Sequence, residues 1–237
     1  MTTLQILAAG SLRGVWPQLI AEFSAQSGLR VETQYGPAGL LRQRIEQGEA
    51  CDLFASANLL HPQTLLQHGR AQNIGRFTAN TLCLTVKRDV VTEGDDWLSL
   101  LLRADLRLAT STPLCDPSGD YTWQLFDNIE QHHRGCGDLL RQKARPLVGG
   151  PDSLAVPTGE LAAQWLIDND HAELFIGYTS YAPRLAHCSQ LQVLIIPAAY
   201  NVTAEYGWAT LSSSAQPLAA FLMSDTAQGI LRQHGFV

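Results

Sequence analysis

Leu4-Gln5-Ile6-Leu7-Ala8-Ala9-Gly10-Ser11-Leu12 is the stretch on which the fold turns. Six residues rich in aliphatic side chains read as a strand, and the glycine and serine that follow read as its junction with an amphipathic helix running through Ala21 and Phe23 to Gly28. Ser11 then falls where a helix begins, its hydroxyl and several unpaired backbone N–H groups aimed at one point. The helix dipole adds partial positive charge there, which makes the junction an anion site without any ionised side chain. An ordinary N-cap is the plainer reading of the same serine.

A second junction of the same kind follows. Leu29-Arg30-Val31-Glu32-Thr33-Gln34 reads as a strand, Tyr35-Gly36-Pro37-Ala38-Gly39 as a turn, and Leu40 to Gln47 as a helix with apolar residues at 40, 41 and 45. A third strand, Cys51 to Ala57, leads through Asn58-Leu59-Leu60-His61-Pro62 into a helix reaching about His68. Thr81 to Val86 is the next strand, Trp97 to Leu102 a short helix, and Leu106–Thr110, Leu147-Val148, Leu174–Tyr178 and Val193–Ile196 are further strands. The terminal segment from Gln216 to Phe236 is helical by periodicity, broken only at Gly229, and is expected to pack back on the first lobe. Strand and helix alternate throughout, which is the signature of an α/β chain. The expected organisation is two α/β lobes, 1–80 with 190–237 and 81–189, with a ligand cleft between them.

Composition narrows the function. Against 22 acidic residues stand 16 lysines and arginines, for a net charge of −6. The densest basic stretch, Arg134 to Arg145, also holds Asp138, so nucleic acid is excluded as a partner. No apolar run approaches the ~20 residues that span a bilayer. Five cysteines without a C-x-x-C pair and seven histidines without H-E-x-x-H indicate neither a metal site nor a dense disulfide framework, and no cofactor is expected.

The second lobe repeats the opening device. Ser111-Thr112-Pro113-Leu114-Cys115-Asp116-Pro117-Ser118-Gly119-Asp120-Tyr121 leads from a strand into a helix containing Trp123, Leu125 and Phe126. Ser118 is expected at that helix start with the amides of Gly119 and Asp120 exposed. Pro157-Thr158-Gly159-Glu160 is expected to open the helix Leu161 to Ile167, and Tyr178 ends a strand with a phenol able to donate one hydrogen bond. Thr158 as a plain cap and Tyr178 as a core aromatic are the structural alternatives.

Six motifs in one order carry a family resemblance: A-A-G-S-L at 8–12, G-P-A-G-L-L-R-Q-R-I-E-Q-G-E at 36–49, D-L-F-A-S-A-N at 52–58, D-P-S-G-D-Y at 116–121, F-I-G-Y at 175–178 and G-I-L-R-Q-H-G-F at 229–236. In them the chain resembles the molybdate-binding periplasmic proteins of ABC importers. The resemblance implies a two-lobed type II periplasmic binding fold closing on a tetrahedral oxyanion, molybdate or tungstate. It implies ligand donors at Ser11, Gly39, Ser118, Thr158 and Tyr178, with Asn58 as a further first-lobe candidate. Gly39 departs from the family in standing where a second serine ligand is usual, and Pro157 has no N–H, which favours Thr158. The implied partners are the anion and a membrane ABC permease, and the implied state is a monomer. The first strand opens by residue 4, and Met1-Thr2-Thr3 reads equally as a native start or as a start replacing a removed leader, so a cytoplasmic location stands beside the implied periplasmic one. Another small anion, an organic solute and a cytosolic effector-sensing module are the alternatives. An enzyme is not expected, because G-x-S-x-G is absent and neither Ser11 nor Ser118 has an evident histidine partner.

Overall fold

The computed structural model describes residues 3–237, and the chain divides into two units. Unit 1 comprises the residues up to Asn80 together with Ala204–Val237, and unit 2 is Thr81–Thr203.

Unit 1 opens with β1 (Thr3–Ala9), α1 (Trp16–Ser27), β2 (Arg30–Gly36), α2 (Ala38–Glu46), β3 (Leu53–Ser56), α3 (Leu60–Gln67) and β4 (Asn73–Asn80). Unit 2 contains β5 (Leu82–Lys87), α4 (Trp97–Leu102), β6 (Leu108–Ser111), α5 (Pro117–His132), α6 (Cys136–Lys143), β7 (Arg145–Val148), α7 (Ala162–Asp168), β8 (Leu174–Tyr178), α8 (Ala182–Leu185) and β9 (Leu191–Ile195). Back in unit 1 the chain adds β10 (Ala204–Thr210), α9 (Gln216–Leu222) and α10 (Asp225–Gln233).

The two sheets follow one plan. The first has the order β2-β1-β3-β10-β4, with β1 parallel to both β2 and β3 and with β10 antiparallel to β3 and β4. The second has the order β7-β6-β8-β5-β9, with β6 parallel to β7 and β8 and with β5 antiparallel to β8 and β9. β1, β3, β6 and β8 are buried almost throughout, as the parallel strands at the centre of a sheet are.

Each unit has its own core. In unit 1, Trp16 is fully buried and donates its indole N–H to Thr33 Oγ1 at 3.1 Å, and Phe23 of α1 meets Phe221 of α9 with ring centroids 5.6 Å apart. In unit 2, Leu166, Ile167, Ala172, Phe175 and Leu185 pack with Ala109 and Leu191. At the amino ends of β6 and β8 the Glu173 carboxylate accepts the Arg107 amide at 2.7 Å and also pairs with the Arg107 guanidinium.

Several expectations are revised. Ser11 does not begin the first helix: Gly10–Leu12 is a single 3-10 turn, and α1 starts at Trp16, where Pro17 in its first turn suits the unpaired helix start. The segment from 190 to 203, expected with the first lobe, belongs to unit 2 because β9 pairs with β5. β4 and β10, to which the sequence reading assigned no element, are strands. The C-terminal helical segment breaks at Met223 and Ser224 instead of Gly229, with the Ser224 hydroxyl accepting the Ala227 amide at 3.2 Å as N-cap of α10. All five cysteines are free thiols, and burial pushes Cys51 and Cys83 up to about 12.

Candidate functional site

In unit 1 the candidates gather at the carboxyl ends of the parallel strands, where open α/β sheets place ligands. β1 delivers Ser11 two residues past its end at Ala9, and β2, in register with it at Ala9 and Gly36, delivers Pro37 and the start of α2. Gly39 is buried in the first turn of α2, whose first helical bond runs from the Leu41 amide to the Pro37 carbonyl at 3.0 Å. The amides of the residues before Leu41 therefore have no carbonyl within the helix.

Ser11 is held from an unexpected direction. Tyr206 on β10 is fully buried, flanked edge-on by Phe77 and Phe236, and its phenol donates to Ser11 Oγ at 2.8 Å. With its oxygen already accepting, the serine has its own proton left to donate, which suits a ligand that only accepts. Asn58 has a different duty. Its Oδ1 accepts from Ser56 Oγ and from the His61 amide, each at 3.0 Å, so its carbonyl oxygen is committed to the turn between β3 and α3.

In unit 2 the neighbouring strands β6 and β8 lead to two candidates, Ser118 in the first turn of α5 after β6 and Tyr178 as the last residue of β8. Tyr178 closes β8 opposite Leu82 of β5 and is buried. α5 begins one residue earlier than expected, at Pro117, with Asp116 as its N-cap. Consequently the first-turn amides are not exposed. Ser118 donates to Asp116 Oδ1 at 3.1 Å, and Gly119 and Asp120 donate to the Asp116 carbonyl at 2.9 and 3.4 Å. Ser118 is 4% exposed, and its hydroxyl bonds to none of the described residues. The hydroxyl, not the amide, is the free donor here.

Gly119 is where this arrangement becomes close-packed. A Cβ on it would lie 2.6 Å from Pro113 N, 2.6 Å from Thr112 C and 2.7 Å from Ser111 O, so only glycine lets α5 approach the loop backbone. Desolvation by burial pushes the Asp116 carboxyl up to about 6, with Asp120 adding repulsion. Burial also raises Asp120, whose Oδ1 accepts the Leu114 amide at 2.8 Å and holds that exposed leucine at φ 67°.

Thr158 differs from Ser118 and Tyr178, which are both buried. It is exposed on a turn from Pro157 to Glu160, closed by the Glu160 amide on the Pro157 carbonyl at 3.1 Å, with Gly159 at φ 93°. The expected helix start is displaced to Ala162 because this turn ends before it. The Arg184 guanidinium tethers the turn through the Gly159 carbonyl at 3.3 Å, and no hydrogen bond among the described residues links Thr158 to Ser118 or Tyr178.

Among the described residues no three histidine, cysteine or acidic side chains cluster as a metal site, and no helix is long and apolar enough to cross a membrane. Reading the sequence missed Tyr206, because β10 was not recognised, and missed Asp116 as the group occupying the α5 start. The pair Asp116-Pro117 carried that second signal, since acidic N-caps and a proline in the first turn mark a helix beginning.

A family model described as "Bacterial extracellular solute-binding protein" matches residues 4–237. An uncharacterised Pasteurella multocida protein is 47% identical over 99% of this chain and 98% of its own length. The molybdate-binding protein ModA of Escherichia coli is 24% identical over 98% of this chain and 88% of its own. Among solved structures, the sulfate-binding protein SubI of Mycobacterium tuberculosis superposes with a TM-score of 0.79 at 17% identity, covering 100% of this chain and 86% of that one.

Proposed function

The chain belongs to the bacterial extracellular solute-binding proteins, receptors of the kind that serve ABC importers and not enzymes, and from that premise we propose that its solute is a small tetrahedral oxyanion. Molybdate and tungstate are the first ligands on this reading. The donors are Ser11 and the α2 start at Gly39 from unit 1, and the Ser118 hydroxyl, Thr158 and the Tyr178 phenol from unit 2. Each unit supplies part of one donor shell, which is complete only when both engage the same anion. A membrane permease is the docking partner, the location is periplasmic and the receptor acts as a monomer.

The observation that carries the reading is the Ser11 hydroxyl. Tyr206 donates to its oxygen from within the core, which leaves the serine proton at the carboxyl edge of the parallel strands for a group that accepts. Neutral donors suit a dianion that offers no proton of its own. About six such bonds at roughly 1.5–3 kcal/mol each, less the cost of association, reach about −8 kcal/mol, a micromolar Kd. The similarity to a molybdate-binding relative across nearly the whole chain supports molybdate, and the likeness in fold to a sulfate-binding protein makes sulfate the competitor to test.

Titration calorimetry with molybdate, tungstate, sulfate and phosphate is the test. Micromolar or tighter binding of molybdate and tungstate is expected. Absence of heat and of any thermal shift with all four anions rules the oxyanion reading out.

A further inference from the structure

The start of α5 already holds an anion, and that anion belongs to the chain. Asp116 Oδ1 takes the Ser118 amide at 3.1 Å, the Asp116 carbonyl takes the next two amides, and the carboxyl packs against Gly149 at the end of β7, where a Cβ would lie 2.7 Å from Oδ2. The donor left over is the Ser118 hydroxyl, on a residue 96% buried and without a bond to any described group. A ligand oxygen on that hydroxyl shares its residue with the amide that Asp116 Oδ1 accepts, which brings the two anionic groups to one serine.

Among the described residues, the groups facing this carboxyl offer no compensating charge. From β6 comes the Ser111 hydroxyl, from the end of β7 the Gly149 backbone, and from α5 itself Asp120, a second acid of the same sign. Two negative oxygens in one partly desolvated place are unfavourable unless a proton lies between them.

We infer that Asp116 is a specificity-determining residue that makes anion binding proton-coupled: the site accepts an oxyanion only when one proton is shared between the anion and the Asp116 carboxyl. This rests on the oxyanion reading above. A fully ionised dianion such as molybdate or sulfate takes up one proton from solvent, which ends on Asp116 and is donated to an anion oxygen. A hydrogen phosphate brings its own proton and donates it to the ionised carboxylate. The burial that raises Asp116 to about 6 places the change within the range where such a receptor can be assayed.

The test is calorimetry of the whole protein with molybdate, sulfate and phosphate from pH 6 to 8.5, repeated in two buffers of different ionisation enthalpy to count protons, on the wild type and on Asp116→Asn. Asparagine keeps an oxygen for the Ser118 amide, so the cap survives. In the wild type the Kd for molybdate is expected to weaken by up to about tenfold per pH unit above the titration of Asp116, with proton uptake approaching one per anion. In Asp116→Asn the Kd is expected to stay within about twofold over the range, and the advantage of phosphate over sulfate to shrink by tenfold or more. Molybdate binding to the wild type with a flat Kd and no proton uptake overturns the inference and leaves the oxyanion reading standing. Failure of all three anions at every pH removes both together. The proton count needs only the wild type, so a variant that does not fold changes nothing.

Discussion

Replacing Gly119 with alanine adds one methyl group at the point where α5 meets the loop that follows β6. That methyl would lie 2.6 to 2.7 Å from three atoms, Pro113 N, Thr112 C and Ser111 O, all of them backbone. Carbon contacts prefer about 3.5–4.0 Å, so the helix start or the loop must yield by roughly 1 Å. Overpacking of this kind costs about 1–3 kcal/mol, while the better helix propensity of alanine returns at most about 1 kcal/mol. Steric cost wins because no flexible side chain is available to move aside. Gly229 provides the opposite sign within the same protein: it sits inside α10 with nothing within 4 Å of an added Cβ. Gly229→Ala should therefore stabilise by roughly 0.5–1 kcal/mol. Urea denaturation of the three proteins measures both changes, and calorimetry on Gly119→Ala should show weaker molybdate binding as Ser118 is displaced. If Gly119→Ala is as stable as the wild type and binds as well, the close approach is not what this glycine provides, and the account of the α5 start fails with it.

Tyr206→Phe removes the donor that holds Ser11; a loss of about 0.5–1.5 kcal/mol in stability and a several-fold weaker anion affinity are expected, and unchanged affinity by calorimetry counts against Ser11 as a ligand. The elevated Asp116 makes the fold pH-dependent. Its folded value of about 6 lies above the ordinary 3.8, so its contribution is fully present below 3.8 and is lost as pH rises through 6, on the order of 3 kcal/mol. Denaturation midpoints of the wild type should fall across that window while those of Asp116→Asn stay flatter; parallel curves refute the assignment. Glu173→Gln, at the amino ends of β6 and β8, should cost roughly 1.5–3 kcal/mol by unfolding and leave the affinity for molybdate as it was, because it lies at the end of the strands away from the candidate donors.

What could be read in advance followed the burial of each element. β1, β3 and β8 are continuous apolar runs covered on both faces, and their junctions stand out because glycine, serine or asparagine interrupts them. β10 was hidden because Ala204, Gly207 and Ala209 are small and Glu205 interrupts the run, so packing against β3 and β4 decides its state where local preference does not. The outer half of β4 is polar, as suits a strand at the sheet margin. Ser11 itself was found, but its partner was not, since Tyr206 lies 195 residues away and the bond exists only once both strands are in one sheet. Asp116 stands in the sequence as the first residue of the D-P-S-G-D-Y motif. Its own occupation of the helix start depends on cap geometry, which one residue's shift in the helix boundary decides.

The placement of β10 between β3 and β4 sets an order of assembly. Residues 3–80 leave the ribosome with a gap in the middle of their sheet, which stays open until residues 204–210 have been made. Unit 2 is one uninterrupted stretch and can close as soon as it is synthesised, while β3 and β4 wait with unpaired edges for a strand that arrives more than 120 residues later. The first part of the chain to be translated is thus the last to become native, and a ribosome stalled before residue 204 holds a finished second half beside an unfinished first.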